Sequence, residues 1–189
     1  MSQKNLFFEG SAHVPLLIMP PQGRSLPQNI SVEAPTDLVD IYPTILAMAG
    51  LSSPVSVSGK NLLEPVPMDR MFFGNSLNKN FCVMEEKVKL VYSAVGDHVL
   101  LFDLNTDPME QHNLAEDPAW QERKAKLWKL LLEHTAQYTP EALDEKGQFL
   151  TYEAPRFPGD VPGRWFGFHY HDYSVDTLSL IHISEPTRP

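Results

Sequence analysis

Cysteine is all but absent from this chain. Cys82 stands alone, so no internal disulfide can staple the fold and the core must come from apolar packing. Basic charge is scarce too. Fifteen Lys and Arg face 24 Asp and Glu, a formal net charge of -9, which argues against a nucleic-acid partner because neutralising phosphates takes clustered cations. No apolar run approaches the roughly 20 residues of a membrane-spanning helix. The opening Met1-Ser2-Gln3-Lys4 lacks the apolar stretch of a signal peptide, which leaves the compartment open. Proline, by contrast, is plentiful. Most of its 17 copies cluster between Pro15 and Pro67 and between Pro140 and Pro162, a density that predicts long ordered loops. With 189 residues and 42% hydrophobic content, the chain can still bury an ordinary core.

Several segments have readable periods. Leu16-Leu17-Ile18-Met19 is all apolar and stopped by Pro20-Pro21, which predicts a strand buried on both faces of a parallel sheet. Residues 31–35 read as a short edge strand. Thr36 or Asp37 then caps a helix with Leu38, Ile41, Ile45, Leu46 and Met48 on its apolar face, and Gly50 stops it. Pro43 fits only if a first turn ends near Tyr42 and a new helix opens there. Residues 70–73, 81–84, 87–92 and 98–104 alternate as strands, with turns around residues 77–80, 85–86 and 96–97, predicting a small antiparallel sheet. Asp117 and Pro118 open a helix running to about His134, whose face of Trp120, Leu127, Leu130 and Leu131 should pack on that sheet. Residues 139–176, rich in proline and aromatics, read as an ordered tail around the body.

The most specific string is Phe102-Asp103-Leu104-Asn105-Thr106-Asp107-Pro108-Met109-Glu110-Gln111-His112-Asn113-Leu114. Physically it is a strand end, a tight turn built by Asn, Asp and Pro, and a run-in to a helix. It resembles the Leu-(Tyr/Phe)-Asp-Leu-x-x-Asp-Pro-x-Glu-x-x-Asn-Leu signature near the C-terminus of the sulfatases. Three further segments resemble the same family in the same order. They are Lys4-Asn5-Leu6-Phe7-Phe8-Glu9-Gly10-Ser11-Ala12-His13-Val14-Pro15-Leu16, then Asp37-Leu38-Val39-Asp40-Ile41-Tyr42-Pro43-Thr44-Ile45-Leu46-Ala47-Met48-Ala49-Gly50, and then Lys87-Val88-Lys89-Leu90-Val91-Tyr92. Ser58-Gly59-Lys60-Asn61-Leu62 is similar to the family's Gly-x-Ser-Leu turn. The resemblance covers residues 4–136.

That resemblance implies an α/β fold: the C-terminal part of an alkaline-phosphatase-like sulfatase, with a small antiparallel sheet packed on a C-terminal helix. Residues 1–66 would close the catalytic domain, 67–137 would form a C-terminal subdomain, and 138–177 an aromatic, proline-rich tail. It implies a sulfuric ester hydrolase acting on an aryl or sugar sulfate, or another glycan sulfate ester. In the family a formylglycine nucleophile attacks sulfur and Ca2+ steadies the sulfate, and both lie upstream of the lysine segment, so this chain reads as a fragment without them. Lys4 would be the catalytic contact to a sulfate oxygen. His13 is a candidate substrate-binding residue, with a structural hydrogen-bonding role as its alternative. An acidic chain then needs a local basic pocket for its anion. Two other functions remain open: a phosphodiesterase or phosphonate monoester hydrolase of the same superfamily, or a non-catalytic interaction module around residues 70–136.

Other candidates resolve toward structure. Glu9 suits pairing with a cation or with backbone N–H groups better than acid chemistry. Asp37 and Asp40 sit at a spacing that suits side-by-side helical turns better than a metal pair, and Asp37 reads as a cap. Cys82 is followed by Val83-Met84-Glu85-Glu86, unlike the formylglycine context, and reads as a core or strand residue. His169 and His171 could share one side of a strand, but no third metal ligand has a diagnostic spacing, so no metal site is assigned. Asn29-Ile30-Ser31 fits a glycosylation triplet that matters only in a secretory pathway.

Residues 178–189 resemble a translated sequencing-library adapter and are left out of the fold reasoning. Deleting them should leave the thermal midpoint unchanged. Removing residues 165–173 should lower it, because each buried aromatic exposed costs about 1.5–3 kcal/mol. A melt that drops after the shorter deletion would show that the last twelve residues are native.

Overall fold

In a computed structural model the described residues are 6–19, 31, 33–53 and 55–153. Their centre is a four-stranded antiparallel meander: β1 Phe72–Ser76, β2 Asn80–Glu85, β3 Val88–Ser93 and β4 His98–Asp103, in the spatial order β1-β2-β3-β4. The predicted strands are present, with the first beginning at Phe72 and running to Ser76. Pairing aligns Cys82 with Val91 and Val91 with Leu100, so one alternating set of side chains faces each way.

Both faces of this sheet are covered. Phe81, Val83, Leu90, Tyr92 and Leu101 point to the long helix α3, Gln121–Tyr138, which buries Leu127, Leu131 and Thr135. Asp117 accepts a hydrogen bond from the Ala119 N–H at 2.8 Å and Pro118 opens a 3-10 turn over Pro118–Trp120, as the capping pattern predicts. The helix extends one turn beyond the expected His134. Phe149 completes this core, its ring 4.6 Å from that of Phe81 and 4.7 Å from that of Tyr92. Of the expected tail, residues 139–153 pack on the body, where the Tyr152 N–H reaches the Ala94 carbonyl at 2.8 Å, and residues 154–189 lie outside the described residues. The opposite face buries Cys82 and Val91 beneath Leu6, Phe7 and Phe8 from the start of the chain.

Two hairpin turns use left-handed residues that lack the usual glycine. Leu77 and Asn78 have φ of 58° and 54°, and Glu86 and Lys87 have 52° and 62°, consistent with the twist that type I′ turns match. The second turn thus lies one residue later than the expected 85–86. Arg123 on α3 braces it, bonding the Glu85 carbonyl and the Glu86 carboxylate, each at 3.0 Å.

Upstream, a 3-10 turn Leu38–Asp40 runs into helix α2, Ile41–Ala49, which places the helix start two residues before Pro43 and the proline within the first turn. Asp37 is the cap, as the sequence predicts, and Asp40 completes a reciprocal capping box by accepting from the Asp37 N–H. Gly50, at φ 74°, ends the helix by donating to Ala47 O, with Leu51 donating to Leu46 O. Gly59 is required by contact: a Cβ there would meet the Val39 carbonyl oxygen at 2.0 Å. Residues 16–19 do not form the expected strand. They lack regular structure and leave Leu17 93% exposed, because no neighbouring strand lies beside them among the described residues. Residues 31 and 33–35 likewise form no strand. A one-turn helix α1, Glu9–Ala12, arises that the sequence reading did not foresee.

Asp40, fully buried, organises the upstream part. Arg70 grips it bidentately at 2.6 and 2.9 Å, and the N–H groups of Lys60 and Asp37 donate at 2.6 and 2.8 Å. Burial opposes the charge on Asp40, but Arg70 and these N–H groups outweigh it and hold the carboxyl below its ordinary value of 3.8. Because the folded state binds this proton more weakly, the contribution of Asp40 is complete above that ordinary value and fades as pH falls through the depressed one. Denaturant titrations from about pH 6 to pH 3 should show the stability gap between wild type and Asp40→Asn narrowing with acid. A constant gap would contradict an ionised Asp40.

Candidate functional site

The candidate site residues concentrate in residues 4–13. Lys4 lies outside the described residues. His13 is the C-cap of α1, with 79% of its side chain exposed, and its Nδ1 meets Glu9 Oε2 at 2.9 Å. Glu9 pairs with a cation, as its sequence context suggested. Its other carboxylate oxygen binds the ammonium of Lys89.

Lys89 is the residue that sequence reasoning missed. It sits mid-strand in β3 between Val88 and Leu90, on the face that carries Val91, and only 2% of it is exposed. A cation so deep needs compensation on all sides. It has it: Nζ donates to Glu9, to Glu110 Oε1 at 2.7 Å and to the Phe7 carbonyl at 2.9 Å. Those three contacts use all three donors of an ammonium. Glu110 Oε2 in turn accepts the Glu9 N–H at 2.6 Å. The signal was in the sequence, since a lone lysine interrupts an apolar strand and Glu110 is the glutamate of the Asp-Pro-x-Glu signature.

The signature loop explains how Glu110 reaches this position. Asp103 accepts from the Asn105 N–H, the Asn105 side chain and Thr106 Oγ1 at 3.1, 2.9 and 3.0 Å, folding the turn after β4. Burial disfavours its charge, yet these donors prevail and lower its pKa. Asp107 accepts the His112 N–H at 2.8 Å, which tightens the loop around Glu110. Asn113 Oδ1 accepts from Leu101 N and Ala115 N at 2.9 and 3.0 Å, stitching the loop to the β4 edge. Glu110 itself sits at φ 55°, a left-handed conformation costing a side-chain-bearing residue about 1–3 kcal/mol. The bends around it turn its carboxylate inward.

Packing fixes the same segment. Leu6 is buried, the Phe8 ring lies 5.8 Å from Phe102, and Phe7 sits so close over Gly74 that a Cβ there would meet its ring at 2.5 Å. Cys82, beneath this segment, is fully buried, and burial pushes its thiol up to about 12, which rules out a reactive thiolate. Among the described residues there is no group of three or more His, Cys, Asp or Glu side chains that could hold a metal ion. No described helix is long and apolar enough to cross a membrane. His169 and His171 lie outside the described residues.

Comparison with known proteins gives a consistent result. The family described as N-sulphoglucosamine sulphohydrolase, C-terminal, matches residues 1–137. Arylsulfatase K of Bos taurus is 34% identical over 131 residues, covering 59% of this chain and 24% of the relative. Choline-sulfatase of Rhizobium meliloti (strain 1021) is 34% identical over 168 residues, covering 79% of this chain and 32% of the relative. A protein solved in complex with its substrate D-glucosamine-2-N,6-O-disulfate superimposes with a TM-score of 0.45 at 22% identity, over 57% of this chain and 25% of that one. The chain thus spans about a quarter to a third of the curated relatives it matches.

Exposure separates the two ends of the Glu9 contact chain. Lys89→Ala should cost about 3–5 kcal/mol, because it strands the buried Glu110 carboxylate and leaves the half-buried Glu9 without its cation. His13→Ala should change stability by less than about 1 kcal/mol, as for exposed ion pairs. Urea unfolding monitored by tryptophan fluorescence checks both, and equal losses would refute the assignment of Lys89 as the buried centre.

Proposed function

Since this chain belongs to the sulfatase family, within the N-sulphoglucosamine sulphohydrolase C-terminal group, we propose that it is the C-terminal portion of a sulfuric ester hydrolase. The continuous match over residues 1–137, ending beyond the signature loop that presents Glu110, carries this reading. The substrate is a sulfate ester. The relatives' names pair it with an aryl group or with choline, and the shared element is the sulfate monoester itself. Residues 1–66 close the catalytic domain, and residues 67–137 form the subdomain that supports it.

Lys4 is the catalytic contact. An ammonium there offsets negative charge on the sulfuryl oxygens as the ester bond breaks, an effect that grows toward the transition state. His13, on the same segment, adds a hydrogen-bonding contact to the substrate. Its Nδ1 is engaged by Glu9, which leaves Nε2 to face the ligand. Formylglycine and Ca2+, where the family's chemistry requires them, belong to the portion of the enzyme that the longer relatives carry beyond the matched region. Their chemistry is nucleophilic attack at sulfur and steadying of the sulfate oxygens.

Two measurements test this. The 189-residue chain alone should not turn over an aryl sulfate with calcium present, and turnover that tracks the purified protein would overturn the division of labour. In the full-length enzyme carrying this sequence, Lys4→Ala should lower kcat by about 10²- to 10³-fold with little change in folding. Wild-type kinetics in that variant would make Lys4 an ordinary surface lysine.

A further inference from the structure

Residues 6–13, which carry His13 and follow Lys4 in the sequence, are tied to the sheet through one buried cation. Starting from the interior, Glu110 and Lys89 pair at 2.7 Å, Lys89 holds the Phe7 carbonyl at 2.9 Å and the Glu9 carboxylate, and Glu9 holds His13 at 2.9 Å. Glu110 closes the ring by accepting the Glu9 N–H at 2.6 Å, and Ser11 Oγ secures the segment by donating to Leu6 O at 2.9 Å. Adhesion does not require this arrangement, because Leu6, Phe7 and Phe8 already bury apolar surface on the same face. Apolar contact is non-directional and tolerates small slides. Replacing buried ion pairs by apolar groups is often neutral for stability, so the distinctive contribution of such a cluster is a single fixed geometry.

We propose that Lys89 and Glu110 are positioning residues for sulfate-ester hydrolysis. Acting through Glu9, they set the register and orientation of residues 6–13 and so the presentation of Lys4 and His13 to the anion. This rests on the reading of Lys4 as the sulfate contact. A displacement of about 1 Å in such a contact can cost 10²-fold in rate. Lys89 and Glu110 reach the substrate only through the segment they hold.

The test compares Lys89→Met, Glu110→Gln and Lys4→Ala in the full-length enzyme. Leu131→Ala serves as a control that loosens the opposite face of the sheet. With aryl sulfate, and normalised to folded enzyme, Lys89→Met and Glu110→Gln should lower kcat by about 10- to 100-fold. Leu131→Ala should lower the thermal midpoint while keeping kcat. On the 189-residue chain, amide hydrogen exchange should rise across residues 6–13 in both positioning variants and stay slow in α3. Glu110→Gln keeps shape and one acceptor, so it carries the test if Lys89→Met does not fold. If both variants keep wild-type kcat while Lys4→Ala loses it, the positioning role is overturned and the sulfatase reading stands. If Lys4→Ala keeps kcat, the sulfate contact falls and this inference with it. Unchanged exchange in residues 6–13 would also overturn it.

Discussion

A lysine ammonium enclosed by two carboxylates and a carbonyl ties together three parts of the chain that are far apart in sequence. Lys89 lies on β3, Glu110 in the loop after β4, and Glu9 and Phe7 at the start of the chain. None of these groups could be buried alone, since an isolated charge in an apolar interior is prohibitively costly. Each is tolerable only when the others are in place. The loop must fold as it does, Glu110 must adopt its left-handed φ of 55°, and the first segment must lie across the sheet. The apolar contacts of Leu6, Phe7 and Phe8 supply the adhesion, and the ionic cluster selects the register.

A second buried charge does similar work upstream. Asp40 draws Arg70, the 3-10 turn before α2 and the Gly59 loop around one carboxylate, with Pro35 reached by Arg70 at 3.5 Å. Thr44 adds to it, donating to Asp40 O at 2.6 Å and accepting the Leu62 N–H at 2.9 Å. Both clusters fix segments that lie outside the sheet and the long helix: residues 6–13 and the Glu110 loop in one case, the Gly59 loop and Arg70 in the other. In a chain with so much proline, backbone ladders cannot satisfy every polar group, and side chains take over the task.

Much of this was legible in the residues. The meander was readable because period-two alternation survives in β2, β3 and β4, and α3 because Asp117-Pro118 precedes a regular apolar stripe. Cys82 was readable as structural because the residues after it, Val83-Met84-Glu85-Glu86, do not fit a nucleophile context. The turns of β1–β2 and β2–β3 were harder, since Leu77, Glu86 and Lys87 carry none of the glycine signal that marks positive φ. The strand expected at residues 16–19 fails for a different reason. A doubly buried strand is defined by its neighbours, and none lies beside these residues in the described structure.

By itself the sequence determined the family resemblance, the capping of both main helices, the alternation of the sheet and the acidic, disulfide-free character of the chain. These are local or compositional properties, fixed by spacing, dihedral preference and residue type. Only the tertiary structure decided what Glu9, Lys89 and Glu110 do, because their meaning lies in an encounter across 80 and 21 residues of chain. It also decided the setting of His13, whose imidazole is tied through Glu9 to the buried lysine. Charges that look solvated one at a time become a single buried unit only after the fold has brought them together.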